Sequence, residues 1–173
     1  MHLRLTALSL VLTVSAFAAC RTPDAAAPRA SLGSGSRGTD DVTTSHAALV
    51  ACGKRTTLTD SGEFGPNGGT LWVGHNRLII PPGALTKRVV ISGTLVGDTV
   101  AFIKFEPSGL QFRRPAGLVL DASDCSMATG SVPSIVYLNE HGDIVEQIEA
   151  VYNNAWHTVA APIQHFSGYA IAF

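Results

Sequence analysis

Near its end the chain holds the tripeptide His165-Phe166-Ser167, whose residue types could cut the peptide bond between Phe166 and Ser167. A serine hydroxyl can attack the carbonyl group of the preceding residue, a nearby histidine can assist the proton transfer, and water can then hydrolyse the ester. Such a reaction also needs a strained amide and a donor that stabilises the oxyanion. The sequence identifies neither of these two features.

The same residues also suit the last strand of a β-domain. In a regular strand, His165 and Ser167 would lie on one face and Phe166 on the other, in register with the alternating residues that follow. Cleavage would release only residues 167–173, a strand that the fold needs. We therefore expect an intact Phe166–Ser167 bond, with self-cleavage as the alternative.

The first 19 residues have the composition of an export signal. They begin with the positively charged MHLR and continue with an apolar run that is too short to span a bilayer comfortably. Cys20 follows in the stretch FAAC, which resembles the bacterial lipobox, where such a cysteine receives a diacylglycerol thioether. Ala16 and Ala18 also fit an ordinary signal peptidase. We expect a lipidated Cys20 and a membrane-anchored protein of the cell envelope; the alternative is a secreted or periplasmic soluble protein.

Composition divides the rest of the chain into a tether and one domain. Residues 21–45 are rich in Ala, Gly, Ser, Pro and Thr, so they cannot bury enough surface to offset the entropy of ordering. We expect the lipidated cysteine and a flexible tether over residues 20–60, and a folded domain over residues 61–173. The formal net charge of −1 offers no basic surface for nucleic acid, so we expect membrane contact only through the lipid.

From residue 61 onwards, short β-rich runs alternate with turn residues, and no segment keeps a helical period over three turns. This pattern predicts an all-β fold, and so many short strands in one domain are typical of a β-sandwich. The predicted strands cover residues 69–73, 77–81, 89–96, 100–107, 117–123, 134–140, 144–151, 155–161 and 167–173.

Cys52 and Cys125 are the two cysteines that remain when Cys20 is set aside. In an exported protein such a pair more often forms a disulfide than a metal site. Two thiols without a nearby cluster of histidines or carboxylates cannot complete a tetrahedral zinc site. We therefore expect no metal and no cofactor, and the two alternatives for these cysteines are a disulfide and two separate free thiols.

The remaining polar side chains favour no catalytic site. The histidines are scattered along the chain, and Glu140, Asp143, Glu146 and Glu149 alternate with valine and isoleucine as in a pair of strands. This arrangement predicts a solvated hairpin, because a calcium loop needs oxygen donors at close, alternating positions with a turn glycine.

Five aromatic residues could form a platform for sugar stacking: Trp72, Trp156, Tyr137, Tyr152 and Tyr169. Nothing in their spacing places them on one exposed face. We therefore expect these rings to pack in the core, and a carbohydrate-binding β-sandwich is the third functional alternative.

Two ordered segments of the chain resemble the ZU-five domain, the β-sandwich named after zonula occludens proteins and netrin receptors. The first is GGTLWVGHNRLIIPPGAL, and the second is FEPSGLQFRRPAGLVLD. The matching residues of the first are Gly68, Gly69, Leu71, Leu78, Ile79, Ile80, Pro81, Pro82, Gly83 and Ala84. Those of the second are Pro107, Gly109, Phe112, Pro115, Leu118 and Leu120.

The resemblance implies a ZU-five-like sandwich over about residues 68–173, and it also bears on function. Some ZU-five-containing proteins cleave themselves at a His-Phe-Ser motif near the end of the domain, where His165-Phe166-Ser167 falls. The intracellular scaffolding roles of the family do not suit an exported chain. We therefore expect a non-catalytic binding or structural module of the cell envelope, whose partner is an unidentified envelope protein or glycan; an autoproteolytic module is the alternative.

Overall fold

The computed structural model describes residues 47–173. The predicted export signal, Cys20 and the predicted tether up to residue 46 lie outside this part of the chain. Residues 47–173 form eleven β-strands and contain no helix, which confirms the predicted all-β fold. This part of the chain therefore holds no membrane-spanning helix.

The strands pair into two antiparallel sheets, as predicted for a β-sandwich. They are β1 (Leu58–Phe64), β2 (Gly69–Val73), β3 (Asn76–Ile80), β4 (Val89–Leu95), β5 (Phe102–Glu106), β6 (Gln111–Asp121), β7 (Ser134–Leu138), β8 (Ile144–Glu149), β9 (Val151–Asn153), β10 (Thr158–His165) and β11 (Gly168–Ala172). The six-stranded sheet has the order β1-β4-β5-β11-β7-β8, and the five-stranded sheet has the order β2-β3-β6-β10-β9.

The core lies between the two sheets and is built from alternate residues of their strands. In β5, Ile103 and Phe105 are buried while Lys104 between them is exposed, which confirms the predicted alternation. In β6 of the facing sheet, Leu118 is fully buried in the same core. Each sheet thus presents one apolar face to the other, as aligned sandwich packing requires.

Two strands were not among the predicted set. The residues of β1 are mostly polar and exposed, because β1 is an edge strand of the six-stranded sheet. The predicted strand 144–151 covers β8 and only the first residue of β9, and these two strands belong to different sheets. Alternation alone detects neither a polar edge strand nor the point at which a chain changes sheets.

Strand β6 begins at Gln111, several residues earlier than the predicted strand 117–123. Pro115 is unusual within a strand, because proline cannot donate to a ladder. Its position explains the exception: the pairing of β6 with β10 is irregular between Ile163 and His165, opposite this part of β6. A bulged register leaves a place where a missing N–H group is tolerated.

The sandwich includes residues that precede the predicted boundary at residue 61. The N–H group of Ala48 donates to the carbonyl oxygen of Phe173 at 3.2 Å, and that of Val50 donates to Ile171 at 2.9 Å. Val50 is 1% exposed and packs in the core. Residues 47–57 are therefore part of the domain, and the predicted tether is too long at its C-terminal end.

The segment IPPGAL leaves the sheet after β3, as predicted from its two prolines. Gly83 has a φ of 79°, and its N–H group donates to Pro66 at 2.8 Å. Gly68 has a φ of 72°, and a Cβ atom there would lie 2.1 Å from the carbonyl oxygen of Ile80. These two conformations exclude side chains and explain why glycine occupies both positions.

Candidate functional site

The tripeptide His165-Phe166-Ser167 forms the corner at which the chain passes from one sheet to the other. His165 is the last residue of β10 in the five-stranded sheet, and Gly168 is the first residue of β11 in the six-stranded sheet. The prediction of one regular strand with His165 and Ser167 on a common face is therefore wrong. The alternating pattern continued across the corner only by coincidence.

Phe166 is held at this corner through both its backbone and its ring. Its N–H group donates to the carbonyl oxygen of Leu110 at 2.8 Å, and its carbonyl oxygen accepts the N–H group of Gly109 at 3.2 Å. The ring is 2% exposed and lies between two other rings, 5.3 Å from that of Phe105 and 5.0 Å from that of Phe112. The donor from Gly109 is of the kind that stabilises an oxyanion.

The side chains of His165 and Ser167 are engaged with other groups. The His165 ring places Nδ1 3.3 Å from the Tyr169 hydroxyl and Nε2 3.4 Å from Glu146. The Ser167 hydroxyl donates to the carbonyl oxygen of Leu138 at 3.3 Å. Among the hydrogen bonds of residues 47–173, none joins His165 to Ser167, so the imidazole is not placed to take the serine proton.

Tyr169 holds this cluster from the core side. Its hydroxyl donates to the carbonyl oxygen of His165 at 2.5 Å and also lies 3.3 Å from Nδ1 of the ring. Burial raises the pKa of the Tyr169 hydroxyl above its ordinary value, and the charges of Glu146 and Tyr137 raise it further. The neutral phenol therefore acts as a structural link between the two sheets.

Cys52 and Cys125 form a disulfide, so the alternative of two free thiols is wrong. The bond joins the segment before β1 to the turn after β6, across 73 residues of sequence. Arg55 lies beside it: its Nη2 donates to the Asp121 carbonyl oxygen at 2.9 Å, forms an ion pair with Asp124 and approaches Cys125 Sγ at 3.4 Å. The disulfide and the contacts of Arg55 hold these segments together. Both sulfur atoms are in the disulfide, so neither cysteine is a free thiol.

The outer face of the five-stranded sheet carries the two tryptophans. Trp72 is 50% exposed and Trp156 is 77% exposed, so the prediction that they pack in the core is wrong. For the tyrosines it is confirmed: Tyr169 is fully buried, and Tyr137 and Tyr152 pack against the core. We call this outer surface, with Trp72, Arg77, Val119 and Trp156, the tryptophan face.

A cleft of about 460 Å³ opens in the tryptophan face. Cross-strand pairing aligns Asp121 with Thr158 and Thr158 with Asn153, so three oxygen-bearing side chains form a row across β6, β10 and β9. The residues that line it include Arg77, Val119, Asp121, Asn153, Trp156 and Thr158. The cleft thus combines one exposed indole with planar polar groups.

Arg77 lies over the ring of Trp72, its cross-strand neighbour, with Cζ 5.4 Å from the ring centroid. A guanidinium stacked in this way gains a cation–π attraction and keeps its N–H edge free. Its Nε atom is buried and has no hydrogen-bond partner, and none of the ion pairs within residues 47–173 includes Arg77. The buried Nε is out of reach of a ligand, and the terminal N–H groups of the guanidinium are the donors that Arg77 offers at the cleft.

The turn that carries Trp156 is held by hydrogen bonds on both sides. Asn153 Oδ1 accepts the N–H groups of Ala155 at 3.0 Å and of Trp156 at 3.1 Å. His157 closes the turn with a φ of 46°, uncommon for a residue with a side chain, and its ring lies 3.2 Å from the Tyr152 hydroxyl. The indole is thus presented to solvent from a fixed backbone.

A buried amide positions Asp121, one of the residues that line the cleft. Asn76 is 1% exposed; its Nδ2 donates to Val73 at 3.1 Å, and its Oδ1 accepts the N–H group of Asp121 at 2.9 Å. One carboxylate oxygen of Asp121 in turn accepts the N–H group of Ser123 at 3.1 Å. These bonds position Asp121 at the end of β6 and leave its other oxygen for a ligand.

The sequence contained one overlooked signal for this site. In GTLWV, Trp72 stands between Leu71 and Val73, both of which are buried, so strict alternation assigns the tryptophan to the outer face. Nothing comparable identified Arg77, Asp121 or Asn153, because their convergence depends on strand pairing.

Comparison with known proteins assigns the chain to no family. No protein-family model matches the chain, and no curated protein matches it significantly. The likeness to the ZU-five domain stays a prediction that rests on the residues quoted above.

Proposed function

We propose that the chain is an exported, lipid-anchored and non-catalytic binding module of the cell envelope, and that the tryptophan face is its binding surface. One observation above all supports this: Trp72 and Trp156 are both exposed, Trp72 is stacked with Arg77, and Arg77 and Trp156 line one cleft. A large exposed ring at a cleft, with a second exposed ring nearby, is a feature of binding surfaces. Lipidation of Cys20 would attach the module to the membrane.

The proposed framework is a ZU-five-like sandwich. The support for this proposal is that several glycines of the resemblance lie where the backbone conformation favours glycine. Gly68, Gly83 and Gly109 all have positive φ angles, which residues with a side chain rarely adopt. The transferable part of the resemblance is the fold, so the proposed binding role rests on the tryptophan face.

Sedimentation with isolated cell-envelope fragments tests the binding surface. We would use residues 20–173 with Cys20→Ser, so that lipid insertion does not mask binding by the domain. The double variant Trp72→Ala/Trp156→Ala should lower the affinity at least about tenfold, because truncation of a central aromatic residue at an interface costs about 2 kcal/mol or more.

The matched control is Val132→Ala, which changes an apolar side chain that is 79% exposed and outside the tryptophan face. This variant should sediment like the parent protein. If the double tryptophan variant also sediments like the parent, the tryptophan face is not the binding surface.

Self-cleavage between Phe166 and Ser167 is the second candidate function. The observation in its favour is the Gly109 N–H group, 3.2 Å from the carbonyl oxygen that would become the oxyanion. The partners of His165, which are Tyr169 and Glu146, argue against it. We therefore keep the intact bond as the preferred proposal, and intact-mass measurement decides between the two.

A further inference from the structure

We propose that the cleft of the tryptophan face binds an acidic carbohydrate, with a sugar ring packed on Trp156 and the sugar carboxylate bound by Arg77. This inference rests on the proposed function, because it names the ligand class of the same surface. It is argued from three features of the cleft: the indole, the row of polar side chains and the unpaired guanidinium.

The indole of Trp156 suits the apolar side of a sugar ring. A pyranose has a face of C–H groups that packs on an aromatic ring, while its hydroxyl groups point outwards towards hydrogen-bond partners. Trp156 is 77% exposed, and its turn is already ordered by the two bonds to Asn153. Because the backbone of the turn is ordered before the ligand arrives, little backbone entropy is lost on binding.

The polar row suits the hydroxyl groups of the same ring. Asp121, Thr158 and Asn153 stand side by side on adjacent strands and supply carboxylate, hydroxyl and amide groups. These groups offer both acceptors and donors, and a sugar hydroxyl uses both. A cleft of about 460 Å³ lies in the size range of small-ligand sites, so it can enclose a short stretch of glycan.

Arg77 gives the cleft its preference for an acid. Its guanidinium is stacked on Trp72 and lines the cleft, and none of the ion pairs within residues 47–173 includes it. A carboxylate accepts two parallel N–H bonds and fits the terminal nitrogens of this guanidinium. Asp121 stands one strand away, and because one of its oxygens is held by Ser123 it accepts a hydroxyl at the other end of the ring.

A neutral glycan or a peptide would use these features less completely. A neutral sugar leaves the Arg77 guanidinium without an anionic partner, and a peptide strand would seek an edge of the sheet instead of its face. Equal binding of acidic and neutral polymers would indicate a neutral glycan. Binding of none of the polymers would be expected for a peptide ligand.

Affinity electrophoresis with defined polysaccharides tests the inference. The probes are polygalacturonate, alginate and hyaluronate, together with methyl-esterified polygalacturonate and dextran as neutral polymers. The protein is residues 20–173 with Cys20→Ser, and tryptophan fluorescence gives the affinity for each polymer that retards it. At least one acidic polymer should bind about tenfold or more tightly than the neutral polymers, which is about 1.4 kcal/mol of discrimination.

Three variants separate the roles of the residues. Trp156→Ala should weaken binding to the acidic polymer at least tenfold, because it removes the platform. Arg77→Ala should abolish the preference for acid over neutral polymer, and Arg77→Lys should recover part of it. Arg88→Ala is the matched charge control: its side chain is 77% exposed, and it should bind like the parent.

Circular dichroism and thermal unfolding must show that each variant is folded as the parent is. The inference is overturned if none of the three acidic polymers binds, if the neutral polymers bind equally well, or if Arg88→Ala lowers affinity as much as Arg77→Ala. If the tryptophan variants lose envelope binding while no acidic polymer binds, the ligand class is wrong and the binding surface stands. If they keep envelope binding, the proposed function itself fails.

Discussion

The backbone N–H group of Gly109 donates to the carbonyl oxygen of Phe166 at 3.2 Å. This bond joins the turn that carries part of the ZU-five resemblance to the tripeptide at which some members of that family cut themselves. The same contact that could stabilise an oxyanion also anchors the buried ring of Phe166 at the corner between the sheets. Its role depends on what His165 does, and His165 is turned towards Tyr169 and Glu146.

We expect the Phe166–Ser167 bond to be intact in the purified protein, because the histidine has no hydrogen bond to the serine. Mass measurement under denaturing conditions checks this, since a cleaved strand could remain paired in the native fold. A fragment that ends at Phe166, together with full-length protein from Ser167→Ala, would show that the motif is a working cleavage site.

Phe166→Ala should lower the free energy of unfolding by about 3–5 kcal/mol, because it removes a ring packed between two others. His165→Ala should cost less, since its ring is partly exposed and its partner Glu146 reaches solvent. Urea unfolding gives both values, and His141→Ala in the exposed hairpin is the control, with a change within about 0.5 kcal/mol. A loss below about 1 kcal/mol for Phe166→Ala would contradict this packing.

Reduction of the Cys52–Cys125 disulfide should lower the free energy of unfolding by roughly 2–5 kcal/mol, mainly because the bond restricts the unfolded chain. Cys52→Ser/Cys125→Ser should reproduce the effect of reduction. Thiol counting on denatured, unreduced protein that carries Cys20→Ser should find no reactive thiol. Two reactive thiols would mean that the cysteines are not joined.

Tyr169 should stay neutral in the folded protein at a pH where an ordinary tyrosine ionises. Because its pKa is raised in the folded state, its contribution to stability is fully present below the unfolded value of 10.0 and is lost as the pH rises above it. Ultraviolet titration of the parent and of Tyr169→Phe checks this by difference. A difference signal centred near pH 10 in the native protein would contradict the burial of the hydroxyl.

Lipidation of Cys20 should place the mature protein in the detergent phase after phase separation and lead to incorporation of labelled fatty acid. Cys20→Ala should abolish both results, because the thioether needs the sulfur atom. Unchanged partitioning of this variant would show that the protein is not a lipoprotein of this type.

The all-β fold and most strands could be predicted because inward and outward residues alternate, as Ile103, Lys104 and Phe105 do in β5. The exceptions share a physical cause. Strand β1 is polar because only a neighbour on one side pairs with it, and Pro115 lies within β6 because the ladder is irregular there. Such features depend on which strands become neighbours, and alternation carries no information on that.

The candidate site was less accessible to prediction. Asp121 and Asn153 are far apart in sequence and are brought into one row by their shared neighbour Thr158 in β10. The exposure of Trp72 followed from its place between two buried residues, whereas that of Trp156 depends on a turn held by Asn153. The change of sheet at Phe166 could not be predicted, because the residue types in the sequence continue to alternate from His165 to Ser167.

The disulfide also determines how the domain would bear mechanical load between a membrane anchor and a bound ligand. A pull on residue 47 would act first on the bonds from Ala48 to Phe173 and from Val50 to Ile171 of β11, which would open one after the other. Cys52 stops this peeling, because its covalent partner Cys125 passes the tension to the end of β6. Strand β6 also carries Asp121 and Val119 of the cleft, so in the proposed anchored and ligand-bound protein the force would pass to the cleft through β6, which belongs to the five-stranded sheet.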